Sequence, residues 1–259
     1  MKKVLLKAED MSKVFANHGS QNDVLCHINL QVFQGDFTII MRPSGAGKST
    51  LLYALSGMDA ISEGRVLVCD QGEEPNLELH KLSEREMAKR RAEQFGFVFQ
   101  STHLVSNLSL YENVVVAGFN GHKQSADEVR ERANRLLQEL HISQIRDHLP
   151  SQVSGGEAQR AAIARAIINL PELIFADEPT GALNKANTEE ILDILSKLNA
   201  EGQTILMVTH DVRAAARGNR LLYLEDGRIV GELLLEQYQQ NDARERENKI
   251  NTWLSELKW

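Results

Sequence analysis

The spacing of apolar positions changes character twice along the chain. In the first third, apolar residues come in short runs rich in β-branched and aromatic side chains, at 4–9, 28–32, 37–41 and 65–69. Such runs read as strands, and Gly35-Asp36 supplies a turn between two of them. The pattern then becomes helical. Ser83 with Glu86 fits a capping box that opens a charged helix. Its basic end, Lys89-Arg90-Arg91, suits a solvated helix C-terminus, a partner contact being the other reading. After a short buried strand at 96–100, helices are expected at 109–116 and 125–140. In the second of these Leu136, Leu137 and Leu140 share one face opposite Arg and Glu. No strand signal interrupts this stretch, so it reads as a helical insertion.

Strand and helix alternate again further on. Strands are expected at 173–176 and 204–208, with helices at 188–198 and 211–217. A hairpin follows at 220–224 and 228–230, turning on Asp226-Gly227. Continuous apolar strands between helices imply an α/β protein whose sheet is mainly parallel and covered on both faces. From 236 the chain is polar, then amphipathic, with Ile250, Trp253, Leu254 and Leu257 at helical spacing. That segment either packs back on its own domain or faces a partner.

Length and composition narrow the class. A chain of 259 residues can bury one sizeable core with an inserted subdomain. No apolar stretch reaches the roughly 20 residues that span a bilayer. The first residues meet charge too early for a secretory signal. The reading is a cytosolic protein that, if it serves a membrane, docks on a separate integral subunit. Cys26 and Cys69 lack metal-site spacing and read as free thiols. A net charge of −7 gives no support to a nucleic-acid surface.

The richest chemistry lies between the run at 37–41 and the helix-like Leu51-Leu52-Tyr53-Ala54-Leu55. There Pro43-Ser44-Gly45-Ala46-Gly47-Lys48-Ser49-Thr50 has the order of a phosphate cradle. Glycines let backbone N–H groups approach phosphate oxygens, and the new helix adds its free N–H groups and dipole. Lys48 supplies a charge for the outer phosphates and Ser49 a hydroxyl for Mg²⁺. The pattern G-x-x-x-x-G-K-[ST] is met except at its first glycine, where Arg42 stands.

Other polar groups close apolar strands. Asp177-Glu178 ends the run at 173–176, Gln100 ends 96–99, and His210 ends 204–209. Ligands of doubly wound sheets bind at the carboxyl ends of strands, so these residues are expected on one rim with Lys48. Asp177 suits Mg²⁺ through oxygen ligation. Glu178 suits deprotonation of an attacking water. Val153-Ser154-Gly155-Gly156-Glu157 opens an Ala-rich helix and is a second glycine-led anion site. Two half-sites in one chain suggest completion by another subunit.

In joint order and spacing these motifs resemble the ATP-binding-cassette (ABC) ATPase subunits over nearly the full length. The phosphate loop is followed by Gln100, by the signature Val153 to Glu157, by Ile174-Phe175-Ala176-Asp177-Glu178-Pro179-Thr180, and by His210 in Val208-Thr209-His210-Asp211. Gly96-Phe97-Val98-Phe99-Gln100 and Ala176 to Leu183 resemble the MacB/LolD/FtsE-like branch. The extension past the Asp226-Gly227 hairpin is similar to the bacitracin-export type.

The resemblance implies a P-loop NTPase fold, an ABC nucleotide-binding domain. It has a mainly parallel core sheet, an antiparallel β-subdomain and an inserted α-helical subdomain at about 101–165. These occupy 1–235, with a C-terminal helical extension at 236–259. The resemblance also implies ATP and Mg²⁺ as cofactors, and a head-to-tail dimer with a second ATPase subunit, holding two ATP at the interface. The implied partner is an integral membrane permease, touched through residues about 101–150, with the chain peripheral on the cytoplasmic face of the membrane. Carried over by position, Phe15 stacks on adenine, where tyrosine is usual, and Ser44, Gly45, Ala46, Gly47, Lys48, Ser49 and Thr50 wrap the phosphates. Ser49 and Gln100 ligate Mg²⁺ with Asp177 behind them. Glu178 is the general base and His210 contacts the γ-phosphate. Ser154, Gly155, Gly156 and Glu157 cap the γ-phosphate held by the other subunit. The function implied is an ATPase that powers export, lipoprotein release or peptide resistance. An FtsE-like coupler, signalling without transport, is the alternative, whereas a DNA-repair or translation ATPase lacks its coiled coils and zinc sites here.

Three departures bear on activity. Arg42 either strains the loop, by roughly 1–3 kcal/mol for an unfavourable φ/ψ, or harmlessly folds its charge outward or reaches phosphate with it. Asn184 replaces the usual aspartate after Gly181-Ala182-Leu183 and removes a charge from a loop that faces the dimer partner. Val153 for leucine and Glu157 for glutamine are mild changes.

Overall fold

The computed structural model describes residues 2–17, 20–41, 48–69, 75–121 and 125–257. In chain order the strands and α-helices are β1 (Val4–Asn17), β2 (Ser20–Phe33), β3 (Phe37–Met41), α1 (Lys48–Leu55), β4 (Glu63–Val68), β5 (Leu77–Glu78), α2 (Glu84–Gln94) and β6 (Phe95–Phe99). They continue with α3 (Leu110–Asn120), α4 (Ala126–Glu139), α5 (Gly155–Ile167), β7 (Leu173–Asp177), α6 (Lys185–Ala200), β8 (Thr204–Thr209), α7 (Val212–Ala215), β9 (Arg220–Glu225), β10 (Arg228–Leu234) and α8 (Ala243–Glu256). The chain folds as two compact units, one of Met1–Ser83 with Asn199–Trp259 and one of Glu84–Leu198.

The first unit carries an antiparallel sheet in the order β2-β1-β4-β5. β1 and β2 are each 14 residues long, well beyond the strands expected at 4–9 and 28–32. β2 opens on the polar run Ser20-Gln21-Asn22-Asp23, and the ladder slips between Ala8 and Met11 and again before Val14. Asp10 and His27 take positive φ at 51° and 52°, and their side chains meet at 2.8 Å. Those irregularities erase the alternation by which a strand is read.

The same unit holds β10-β9-β3-β8, in which β3 pairs in parallel with both β8 and β9 and the hairpin β9–β10 is antiparallel. Every residue of β3 and β8 is buried. At roughly 1.5–3 kcal/mol per buried large apolar side chain, Phe37, Ile39, Ile40, Ile205, Leu206 and Met207 anchor this core. The hairpin turns on Asp226 and Gly227 at φ 44° and 74°, the two positive values that a type I′ turn requires.

α8 settles the question left by the C-terminal segment. Its Ile250 and Leu254 are buried, and Trp253 meets Tyr223 of β9 edge-on at 6.4 Å between centroids. The helix packs back on its own unit.

In the second unit β6 and β7 pair in parallel, Phe95 with Leu173 through Phe99 with Asp177. β7 is buried throughout. Phe97 stacks on Phe175 at 5.5 Å and on Phe99 at 5.9 Å, which stiffens the pair. α3, α4 and α5 follow from capped starts. Ser109, Ser125 and Ser154 each accept the N–H of a glutamate three residues on, and that glutamate accepts the serine N–H in return. At the basic end of α2, Lys89 is exposed and lies 3.9 Å from Glu93, whereas Arg91 is half-buried and lies 3.8 Å from Glu84. Cys26 and Cys69 are free thiols. Among the described residues, no helix is long and apolar enough to cross a membrane.

Candidate active site

Within each unit, some of the residues expected on the rim follow the carboxyl ends of parallel strands. In the first, Met41 closes β3 in register with Thr209 of β8. Met41, the last residue described before the phosphate-loop segment, therefore ends beside the strand that delivers His210. Arg42, Ser44, Gly45, Ala46 and Gly47 lie outside the described residues, as does the side chain of Lys48. What the structure places is the start of α1 at Lys48, with Ser49 and Thr50 half-buried in its first turn. The strand-then-helix context of the loop is thus present.

His210 is exposed at the tip of β8. It sits between two fixed points. Thr209 Oγ1 accepts the Asp211 N–H at 3.1 Å. Asp211 caps α7 by accepting the Arg213 N–H at 2.8 Å and the Arg213 guanidinium at 2.9 Å. Burial pushes the Asp211 carboxyl up, but the Arg213 bonds together outweigh it and hold the group below the usual range.

Phe15 is 39% exposed on β1, so its ring is available for stacking. The Lys13 ammonium lies over that ring, 4.7 Å from the centroid. Lys13 also donates to Asp59 at 2.8 Å and to the Ala60 carbonyl at 2.6 Å, just beyond α1.

In the second unit the pairing of Phe99 with Asp177 puts Gln100 and Glu178 at neighbouring strand tips. A methyl group on Gly181 would come within 2.9 Å of the Gln100 carboxamide, so Gln100 reaches the loop that follows Glu178. Asp177 and Glu178 are buried, at 8% and 7% exposure. Glu178 holds φ at 44°, a left-handed conformation disfavoured for residues with a β-carbon. The Gly181 N–H donates to its carbonyl at 3.0 Å, which helps to hold that backbone. Strain of this kind concentrates where a side chain must be aimed.

The glycine-led helix start lies on the same unit. Ser154 and Gly155 are exposed, whereas Gly156 is buried against Asn187 of α6. Ser154 Oγ donates to Glu157 at 2.7 Å, and its N–H meets the same carboxylate at 2.7 Å. The Ser154 side-chain and backbone bonds hold the Glu157 carboxyl below the usual carboxylate range.

Two residues of α5 escaped the sequence reading. Gln159, buried, donates to the Phe99 carbonyl at 2.9 Å, one residue before Gln100. Arg165 donates to the carbonyls of Thr102 and His103 at 2.7 and 2.6 Å. The helix that starts at the signature thereby grips both sides of Gln100. Only their position as polar residues inside the Ala-rich helix could have pointed to them; Gln159 is buried there and Arg165 half-buried. Asn184 also finds an explanation. Its Oδ1 accepts the Asn187 N–H at 3.0 Å, capping α6.

Comparison with known proteins decides the family. The ABC transporter family model matches residues 25–181, more than half the chain. The chain belongs to the ABC transporter ATP-binding family. Within it, the chain is 42% identical to the lipoprotein-releasing system ATP-binding protein LolD of Aquifex aeolicus (strain VF5), over 88% of this chain and 97% of LolD. It is 41% identical to the macrolide export ATP-binding/permease protein MacB of Wolinella succinogenes, over 89% of this chain but only 35% of that longer protein. The MacB/LolD-like branch is therefore supported. Among solved structures, the dimeric ATP-binding cassette MJ0796 bound to ADP and Pi superposes with a TM-score of 0.81 at 36% identity, over 90% of this chain and all of that one. CbiO1 from Clostridium perfringens, part of the ABC transporter complex cbiONQ, gives 0.76 at 27% identity over 99% of this chain and 98% of its own. This ABC ATP-binding protein thus has the P-loop ABC ATPase fold that its motifs imply.

Proposed function

We propose that this ABC protein is the ATP-hydrolysing subunit of a MacB/LolD-type transporter, working as a head-to-tail pair beneath a separate integral membrane permease. The observation that carries the reading is the exposed N-terminal turn of α5. Ser154 and Gly155 face solvent with the helix capped behind them, where an approaching copy of the chain can bring a phosphate. MJ0796, at 36% identity, is itself a dimeric cassette.

In this reading Phe15 stacks on adenine, on the ring face opposite Lys13, and Ser44 to Thr50 wrap the phosphates. Ser49, Gln100 and Asp177 offer only oxygen atoms to a cation, which is the set a hard ion such as Mg²⁺ prefers. Bound there, Mg²⁺ would neutralise charge developing on the phosphate oxygens. Glu178 accepts the proton of the attacking water, and its buried, strained placement limits the directions it can take. His210 orients the γ-phosphate, and Ser154, Gly155, Gly156 and Glu157 of the second copy close over it. The exposed apolar residues Val105, Val116, Phe119 and Leu149 of the second unit suit contact with the permease's cytoplasmic elements, which would seat the protein at the inner face of the membrane. Relatives named for lipoprotein release and macrolide export do not favour a coupler without transport. Substrate choice then belongs to the permease.

Glu178→Gln is the test. It should bind ATP as the wild type does, stop turnover and trap an ATP-bound dimer in size-exclusion chromatography. Wild-type turnover by this variant would remove the assigned base.

A further inference from the structure

Arg246 of α8 is 3% exposed, although it is one of several charged residues on a polar helix. Its guanidinium donates to the carbonyls of Ala216 at 2.7 Å and Glu236 at 2.8 Å, and also to that of Gly218. The Asp242 carboxylate lies 3.7 Å away, one turn earlier on the same helix. Tyr238 is flanked by Arg217, at 4.4 Å, and Arg246, at 5.6 Å. Ala216 is the C-cap of α7, and Asp211 is its N-cap. α7 is only four residues long, so its own hydrogen bonds cannot keep it formed. Its first end is fixed locally, by the Thr209 hydroxyl before it and by the bonds between Asp211 and Arg213, and its second from outside, by the fork of Arg246.

His210 immediately precedes that N-cap. A one-turn helix is a stiff link when both ends are pinned and a loose one when either is free. We infer that Arg246 is a positioning residue for His210, acting through α7, so that the C-terminal extension sets the rate of ATP hydrolysis. This rests on the role given to His210 above. The second contact of α8 supports it. Trp253 packs on Tyr223, which pairs in β9 with Met41, the last residue before the phosphate-loop segment. The extension is therefore tied both to the segment that follows the β8 tip and to the strand beside the β3 tip.

The consequence is a split in kinetics. Holding His210 affects the step in which the γ-phosphate reacts and leaves ground-state nucleotide binding alone. In the full chain, Arg246→Met should lower kcat about tenfold while KM for ATP stays within about twofold, because small displacements of a reacting group carry losses of that order or more. Arg246→Lys keeps the charge and the stem but not the planar fork. It should show the same split, and it carries the test if the methionine variant does not fold. His210→Ala should abolish turnover, and the Arg246→Met/His210→Ala pair should lose nothing further. Hydrogen exchange at 211–218 should quicken in Arg246→Met while exchange across β8 is unchanged. A folded Arg246 variant with wild-type kcat, equal losses in kcat and nucleotide affinity, or further loss in the double variant would overturn the inference. If His210→Ala alone retained turnover, the functional reading itself would fail, which is a different result.

Discussion

Replacing Arg165 with methionine tests the link between the signature helix and Gln100. Arg165 donates to the Thr102 and His103 carbonyls at 2.7 and 2.6 Å, distances typical of charge-assisted bonds. Burial lowers the pKa of its guanidinium, so the group is partly withdrawn from water. A hydrogen bond to a charged group contributes about 1.5–3 kcal/mol, and a half-buried site sits at the low end. Two such bonds, less the packing that the methionine stem retains, give a loss of about 2–3 kcal/mol. For a chain of this size that is a fall in melting temperature of about 4–12 °C. The segment released begins two residues after Gln100, so ATP turnover should fall as well. Gln159→Leu removes the bond to the Phe99 carbonyl on the other side of Gln100. Because both residues hold one segment, the double variant should lose less than the sum of the two single losses. Urea denaturation followed by far-UV circular dichroism measures all three. A midpoint for Arg165→Met within error of wild type would refute the grip, as would strict additivity.

Further outcomes follow from the caps. Ser154→Ala should destabilise the protein by about 1 kcal/mol, read in the same urea titration, by removing the α5 N-cap. Glu112, Glu128 and Glu157 all have carboxyls held below the usual range, each chiefly by its capping serine. A carboxyl whose pKa falls on folding adds stability above its unfolded value and gives it up as pH drops through the folded value. Helix content followed through acid titration should therefore fall below the ordinary glutamate range, and Ser154→Ala should flatten that dependence. Asn184→Asp should leave stability within about 0.5 kcal/mol, since both side chains cap equally well. Any change in ATPase rate would then report the added charge at the face that the proposed dimer brings together.

Much of the fold was legible because its chemistry sits on continuous apolar strands. β7 and β8 are runs of buried residues that end in Asp177-Glu178 and His210, and both periodicity and punctuation pointed to them. Asp226-Gly227 announced its own turn. What escaped the sequence depends on contacts distant along the chain. β2 opens on four polar residues, and both long strands are broken by register slips and by the positive φ of Asp10 and His27, so no alternation survives. The left-handed backbone of Glu178 leaves no trace in residue type. Arg165 and Arg246 look like ordinary basic residues of amphipathic helices until the carbonyls they meet are known. The strand tips were readable one at a time, whereas the grip of α5 on the Gln100 segment was not.

The central claim is that each nucleotide site is completed by the α5 N-terminus of a second copy. Mixing two inactive variants tests it most directly. Lys48→Ala loses the phosphate-loop lysine, and Ser154→Arg blocks the exposed turn. Apart, each should hydrolyse ATP at a background rate. Mixed at equal concentration, a heterodimer has one site with both halves intact, and ATPase activity should reappear. A mixture no more active than its components, with heterodimers confirmed by differential tagging, would contradict the account.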